Sequence, residues 1–215
     1  MRMDDGGTLE AYVLDHTDGE GTLLAALNRD AHVRLLRPRM MAGRLQGRLL
    51  KMLCRMIGPR RVLEIGTYTA YATLCMAEAL DDGAVIHSVE INDEMEAFVS
   101  PYLERSADRA KIRLHWGDVA EVLPRIEGAF DLAYIDGDKR DYCDYYRLVF
   151  PRVRQGGYIL ADNTLWGGKV VADRIAAADR HTQGIRDFNA MVRDDARVEK
   201  VMLPLRDGLT LIYKK

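Results

Sequence analysis

Cysteine is scarce in this chain, with three in 215 residues. Cys54, Cys75 and Cys143 are odd in number, far apart and set among apolar residues. That excludes a disulfide framework and a cysteine zinc site, and leaves buried free thiols in a reducing cytoplasm as the expectation. Net charge is nearly absent, at -2, which speaks against a nucleic-acid or membrane-surface binder. Arg34, Arg37, Arg39, Arg44 and Arg48 form a local basic run that reads as a solvated helix face. No apolar run is long enough to span a bilayer. The opening MRMDDGGTLE is acidic and lacks an apolar stretch, so no signal peptide is expected. His16, His32, His87, His115 and His181 show no metal spacing and are assigned no catalytic role. Internal repeats and low-complexity segments are absent too.

What is present is an ordinary globular composition, 48% hydrophobic and 30% charged, of a length that suits one domain over 1–215. Residues 1–60 read as helical, with a break at Gly19 and Gly21. Leu45, Leu49, Leu50, Met52, Leu53 and Met56 recur at helical spacing until Gly58-Pro59. From residue 61 short strands alternate with helices. Strands are expected at 61–66, 84–90, 112–116, 130–136 and 157–162, with helices at 69–80, 93–105, 141–150 and 184–193. The pattern predicts an α/β, Rossmann-like parallel sheet over 61–215 with helices on both faces. Asp207-Gly208, between apolar runs 198–203 and 209–213, signals an antiparallel hairpin that closes the sheet.

Open parallel sheets bind ligands at the carboxyl ends of their strands. Here those ends carry Glu64 to Thr67, Glu90, Gly117-Asp118, Asp136 to Lys139, and Asp162-Asn163. The first loop, EIGTYTAYA, has one glycine. It lacks the G-x-G-x-x-G of a dinucleotide site, where Tyr68 blocks the second glycine position, and no P-loop occurs. An NAD-type oxidoreductase is thereby disfavoured. The loop suits a nucleoside without phosphate, and Glu90 can accept hydrogen bonds from ribose hydroxyls. S-adenosylmethionine is such a ligand. Asp136, Asp162 and Asn163 offer three oxygens at neighbouring strand ends, a donor set for Mg²⁺, Ca²⁺ or another divalent cation. Taken alone, Asp162-Asn163 reads better as a turn cap and Lys139 as a surface lysine in an acidic turn; with Asp136 and Lys139 alongside, the pair reads better as part of a metal site.

The segments VLEIGTYTAY, YIDGDK, ILADNTLWGGKV and LPLRDGLTLIYKK resemble the caffeoyl-coenzyme A and catechol-type O-methyltransferases, from about Met40 to the C-terminus. The resemblance implies a class I methyltransferase fold whose seven-stranded sheet ends in an antiparallel hairpin, and a homodimer. It implies that Glu64, Gly66 and Thr67 line the methionine part of the cofactor and that Glu90 binds ribose. Asp118 and Val119 flank the adenine, and Ala42 and Ala72 also touch cofactor. Asp138 lies close to cofactor and substrate. Asp136, Asp162 and Asn163 hold the metal, and Lys139 is the general base. The implied acceptor is a small catechol-like phenol whose hydroxyl, titrating near ~10 when free, is ionised on the cation. A catalytically inactive binding protein would be expected to lose a metal ligand or Lys139, and all are present. Trp166, Tyr142, Tyr145 and Tyr146 read either as pocket walls or as core. The chain departs from the family at Ala70 (usually glycine), Ala72 (usually serine), Arg44-Leu45 (commonly Pro-Glu) and Gly167 (frequently serine).

Overall fold

The computed structural model describes residues 8–215. The helical and signal-peptide expectations for residues 1–7 lie outside the described residues. Helices α1 (Thr8–Asp15) and α2 (Gly21–Arg34) precede α3 (Gly43–Ile57). In α3 the residues Gln46, Gly47, Leu50 and Cys54 are buried, a three-and-four spacing that turns one face inward. Gly58, at φ 60°, ends the helix in the left-handed conformation, its N–H donating to the Cys54 carbonyl at 2.8 Å. Gly47 lets α3 lie against α4 (Tyr71–Ala77), since a Cβ there would come within 2.6 Å of Cys75 Sγ.

Seven strands follow: β1 (Arg61–Ile65), β2 (Val85–Glu90), β3 (Ile112–Trp116), β4 (Phe130–Ile135), β5 (Val153–Asp162), β6 (Val198–Leu203) and β7 (Leu209–Lys214). They form one sheet in the order β3-β2-β1-β4-β5-β7-β6. The first five run parallel, and β7 is antiparallel to both neighbours. β1 and β4 are almost wholly buried, as continuous apolar strands covered on both faces must be. One core packs α2, α3, α4 and α5 (Glu96–Glu104) on one face. A second packs α6 (Val119–Val122), α7 (Tyr142–Val149) and α8 (Arg180–Asp194) on the other. The chain leaves β1 toward β2 and β3 and returns on the other side as β4 and β5. The carboxyl ends of β1 and β4 therefore flank the reversal point where such sheets open a crevice.

Several boundaries differ from expectation. β5 begins four residues before 157, because Gly156 at φ 73° and a register shift opposite Phe130 and Leu132 carry the strand through what reads as a turn. α8 begins at Arg180 rather than 184, capped by Asp179, whose carboxylate accepts the Thr182 N–H at 3.1 Å. α4 is shorter than 69–80, because Ala70 holds a left-handed φ of 62°. The basic run is not one solvated face. It is spread over α2, a 3-10 turn (Pro38–Met40) and α3. Arg48 is half-buried against Glu78 and Cys75, while Arg44 bonds the Thr17 and Asp18 carbonyls. Cys54 and Cys75 are buried as expected, and Cys143 is half-buried. Among the described residues no helix is long and apolar enough to cross a membrane.

Candidate active site

The loop after β1 is built against the loop after β4. Gly66 takes φ 95°, and a Cβ on it would lie 2.3 Å from the Asp136 carbonyl oxygen. Only glycine allows that approach. The Gly66 N–H donates to Val89 O at 2.9 Å, and Asp136 N–H donates to Ile65 O at 2.8 Å, so β2, β1 and β4 are tied together where they end. A small cavity opens there, lined by Met40, Met41, Ala42, Gly66, Thr67, Tyr68, Thr69, Tyr71, Ala72 and Asp136. Four residues expected at the cofactor, Ala42, Gly66, Thr67 and Ala72, are thus brought together.

Glu64, in β1 just before Gly66, lies fully buried. Its Oε2 accepts the hydroxyls of Ser88 and Thr73, each at 2.5 Å, and its Oε1 has no hydrogen-bond partner. Burial pushes its carboxyl up to about 8, against the lowering effect of the two hydroxyls and with some help from the charges of Asp136 and Glu90. Glu90 uses both oxygens on backbone: Oε2 accepts the Tyr68 N–H at 2.7 Å and Oε1 the Asn92 N–H at 2.9 Å. That pair fixes Tyr68 at φ 45° and aims the carboxylate at the strand end.

The raised pKa of Glu64 has a consequence for stability. In the unfolded chain the group releases its proton near 4.5, whereas in the folded chain it keeps it to about 8. Between those values the native state binds the extra proton, so this group's contribution to stability falls as pH rises. Glu64→Gln is expected to remove that slope, so that its melting temperature relative to the parent climbs from pH 5 to pH 8. A difference that stays flat across this range, in thermal denaturation without ligand, would contradict the assignment.

The acidic cluster sits at the ends of β4 and β5. Asp136 Oδ1 accepts from Lys139 Nζ at 2.8 Å, and the same ammonium donates to Gly137 O at 3.0 Å and to Tyr142 Oη at 2.9 Å. Lys139 is 8% exposed, so it is no solvated turn lysine. The Tyr142 hydroxyl donates to Asp162 O at 2.9 Å. The Asp162 carboxylate is held from three sides: Oδ2 accepts from Gln46 Nε2 and, at 2.7 Å, from the Tyr134 hydroxyl, and Oδ1 accepts the Asn163 N–H at 2.7 Å. Asn163 itself stands at φ 57°. Burial lifts the Asp136 carboxyl well above the usual carboxylate range; the Lys139 ammonium opposes this and the Asp162 charge adds to it.

Other expected residues are engaged elsewhere. Asp118 is exposed and spends its carboxylate as the N-cap of α6, accepting the Ala120 N–H at 2.7 Å, while Val119 is buried in the core. Asp138 caps the turn that carries Lys139 and pairs with Arg140 at 2.5 Å, which holds its carboxyl down at about 2. Neither Asp118 nor Asp138 lines the cavity. Tyr142 and Tyr146 are core rather than walls, at 0% and 2% exposure. Trp166 stacks on His181 with ring centroids 6.0 Å apart, and its Nε1 is buried without a partner. Three contributors escape a sequence reading. Tyr134 lies inside an almost wholly buried strand, and Gln46 gives one signal only, an amide on the apolar face of α3. Gly184 is a third: a Cβ on it would lie 2.4 Å from Lys139 O, so it sets α8 against the Lys139 turn.

Asp136 lines the cavity and Glu90 stands at the neighbouring strand end, so carboxylates border it, and the orphaned oxygen of the buried Glu64 carboxyl is an acceptor that fits an N–H donor. The oxygens of Asp136, Asp162 and Asn163 fit a hard divalent cation. Among the described residues no group of three or more His, Cys, Asp or Glu gathers to hold a metal, so any such site combines two carboxylates with an amide.

Sheet order, reversal-point cavity and terminal hairpin define a Rossmann-like methyltransferase. TomG, the O-methyltransferase from Streptomyces achromogenes solved with SAM, shares this fold at a TM-score of 0.90 over 100% of this chain and 99% of that one, at 24% identity. The SAH-bound methyltransferase PaMTH1 of Podospora anserina matches at a TM-score of 0.89 and 26% identity, over 100% and 97% of the two chains. The O-methyltransferase family profile covers residues 15–215. Caffeoyl-CoA O-methyltransferase 5 of Nicotiana tabacum is 35% identical over 77% of this chain and 73% of its own length. Caffeoyl-CoA O-methyltransferase 2 of Zea mays is 36% identical over 77% and 67%. The chain belongs to the O-methyltransferase family, among relatives of the caffeoyl-CoA type.

Proposed function

We propose that this chain transfers the methyl group of S-adenosylmethionine to one of two adjacent oxygens of a phenolic acceptor, with a divalent cation held by Asp136, Asp162 and Asn163. One observation carries the reading: Asp136 lines the cofactor cavity and is also the ion-pair partner of Lys139. The cofactor and the acid cluster therefore meet at a single residue. Glu64, Glu90, Ala42, Gly66, Thr67 and Ala72 receive the cofactor. Asp118 and Val119 are assigned to the adenine side and Asp138 to the substrate side, outside the lining of this cavity. The reading retains a homodimer, with no part for nucleic acid or membrane.

Methyl transfer to oxygen is an in-line displacement, so the protein's main work is alignment. Gly66 sets the cavity against Asp136, and the clamp of Gln46 and Tyr134 fixes Asp162. A cation bound there supplies Lewis acidity that lowers the pKa of the acceptor hydroxyl. Lys139, beside Asp136, would take that hydroxyl proton as the neutral amine, after releasing its own proton to solvent. An NAD-type oxidoreductase finds no support, because Tyr68 fills the second glycine position. Adjacent oxygens are required because both must reach one ion. Catechol is therefore expected to be methylated with Mg²⁺ and S-adenosylmethionine, and resorcinol, whose hydroxyls are one carbon further apart, to remain at background. Equal rates for the two in an S-adenosylhomocysteine release assay would overturn the chelation.

A further inference from the structure

The β6–β7 turn places an arginine at the mouth of the cofactor cavity. Its base is anchored on the loop after β5: Asp207 O accepts the Leu165 N–H at 2.7 Å and the Trp166 N–H at 3.2 Å. Gly208 allows this contact, since a Cβ there would lie 2.6 Å from Leu165 N. Arg206 itself stands at φ 48°, a left-handed conformation that a glycine would adopt without strain. From this position its side chain crosses to the start of α3. Nη1 donates to Met41 O at 3.3 Å and lies 3.1 Å from where a Gly43 Cβ would be. Its charge also bears on Asp136, lowering that carboxyl. Met41 and Asp136 both line the cavity. The guanidinium is therefore held at the cavity edge while using one of its five N–H donors. Among the described residues no carboxylate forms an ion pair with it.

The cavity needs such a group. S-adenosylmethionine carries an ammonium, a sulfonium and a carboxylate. The carboxylates at this edge, Glu90 and Asp136, favour the two cations and repel the anion. The walls have little to offer that anion: Ala42 and Ala72 have no donor in their side chains. The Thr67 hydroxyl is bonded to Ser88 at 2.5 Å, that of Tyr68 to Arg37 O at 3.1 Å, and that of Tyr71 to Glu20. Thr69 is the remaining lining hydroxyl. We propose that Arg206 binds the carboxylate of the cofactor's methionine tail, supplying from the C-terminal hairpin the positive charge that the cavity walls lack. The proposal rests on S-adenosylmethionine as cofactor and is independent of the cation.

The test compares S-adenosylmethionine with decarboxylated S-adenosylmethionine, which differs only in the carboxylate, by titration calorimetry on the full chain. Arg206→Gln is expected to weaken S-adenosylmethionine about tenfold or more, as loss of a charge-assisted hydrogen bond does, and to change the decarboxylated ligand by less than about twofold. Arg206→Lys, which keeps the charge without the fork, is expected to fall between parent and Arg206→Gln. Equal weakening of both ligands would show that Arg206 only staples the hairpin to α3, and an unchanged affinity for S-adenosylmethionine would also overturn the proposal. A parent chain that binds neither ligand would overturn the cofactor reading itself, and the role of Arg206 with it.

Discussion

Lys139→Met is expected to lower kcat for methyl transfer by about 10²–10⁴, the usual contribution of a positioned proton acceptor, with the affinity for S-adenosylmethionine little changed. The lysine does not line the cofactor cavity; it reaches Asp136, Gly137 and Tyr142 instead. Two roles meet at that side chain, one for the ammonium and one for the neutral amine left when it gives up a proton. It neutralises Asp136, and it stands where an acceptor hydroxyl must lose a proton. Lys139→Arg separates them. A guanidinium keeps the positive charge but cannot be deprotonated near neutral pH. If proton removal is the role, Lys139→Arg falls with Lys139→Met; if charge pairing is the role, it recovers most of the rate. Steady-state kinetics below the melting temperature of each variant decide between them. The structure predicts a lowered melting temperature for Lys139→Met alone, because it leaves the Asp136 and Asp162 carboxylates facing each other without a counter-charge.

Much of this site was legible in the chain because a parallel sheet delivers every strand's carboxyl end to one edge. Acidic residues at 64, 90, 136 and 162 therefore converge without any knowledge of the loops between them. The hairpin was equally legible, since Asp207-Gly208 sits between two runs that emerge as β6 and β7. What stayed hidden depends on contacts across the fold. Gln46 meets Tyr134 and Asp162, 88 and 116 positions away, and no local pattern reports such distances. The basic run misleads for the converse reason. Its arginines are close in sequence but are spread across three elements, and packing half-buries Arg48 while leaving Arg34 in solvent. The start of α8 was missed because Asp179 caps it from within a polar stretch, where a lone Asp reads as loop. Ala70 is a different case: the backbone there needs a left-handed φ of 62°, and the alanine accepts the strain that glycine would avoid.

Metal removal is the second large effect. Asp136 and Asp162 are carboxylates in mutual repulsion, one offset by Lys139 and the other by the Gln46–Tyr134 clamp. Two such groups beside the amide of Asn163 form a donor set whose charge a divalent cation would balance. A cation held by these residues would supply the Lewis acidity that lowers an acceptor hydroxyl's pKa toward neutral, whereas a free phenol titrates near ~10. Without the cation the fraction of ionised acceptor at pH 7 falls about a thousandfold. Asp136→Asn and Asp162→Asn, which remove ligand charge with little change of volume, are expected to reproduce this loss. The direct measurement is S-adenosylhomocysteine release from catechol and S-adenosylmethionine, first with Mg²⁺, then with excess EDTA, then with Mg²⁺ restored. Turnover that vanishes with EDTA and returns with Mg²⁺ is the expected result. Turnover that persists at the same rate in EDTA would contradict a cation on Asp136, Asp162 and Asn163.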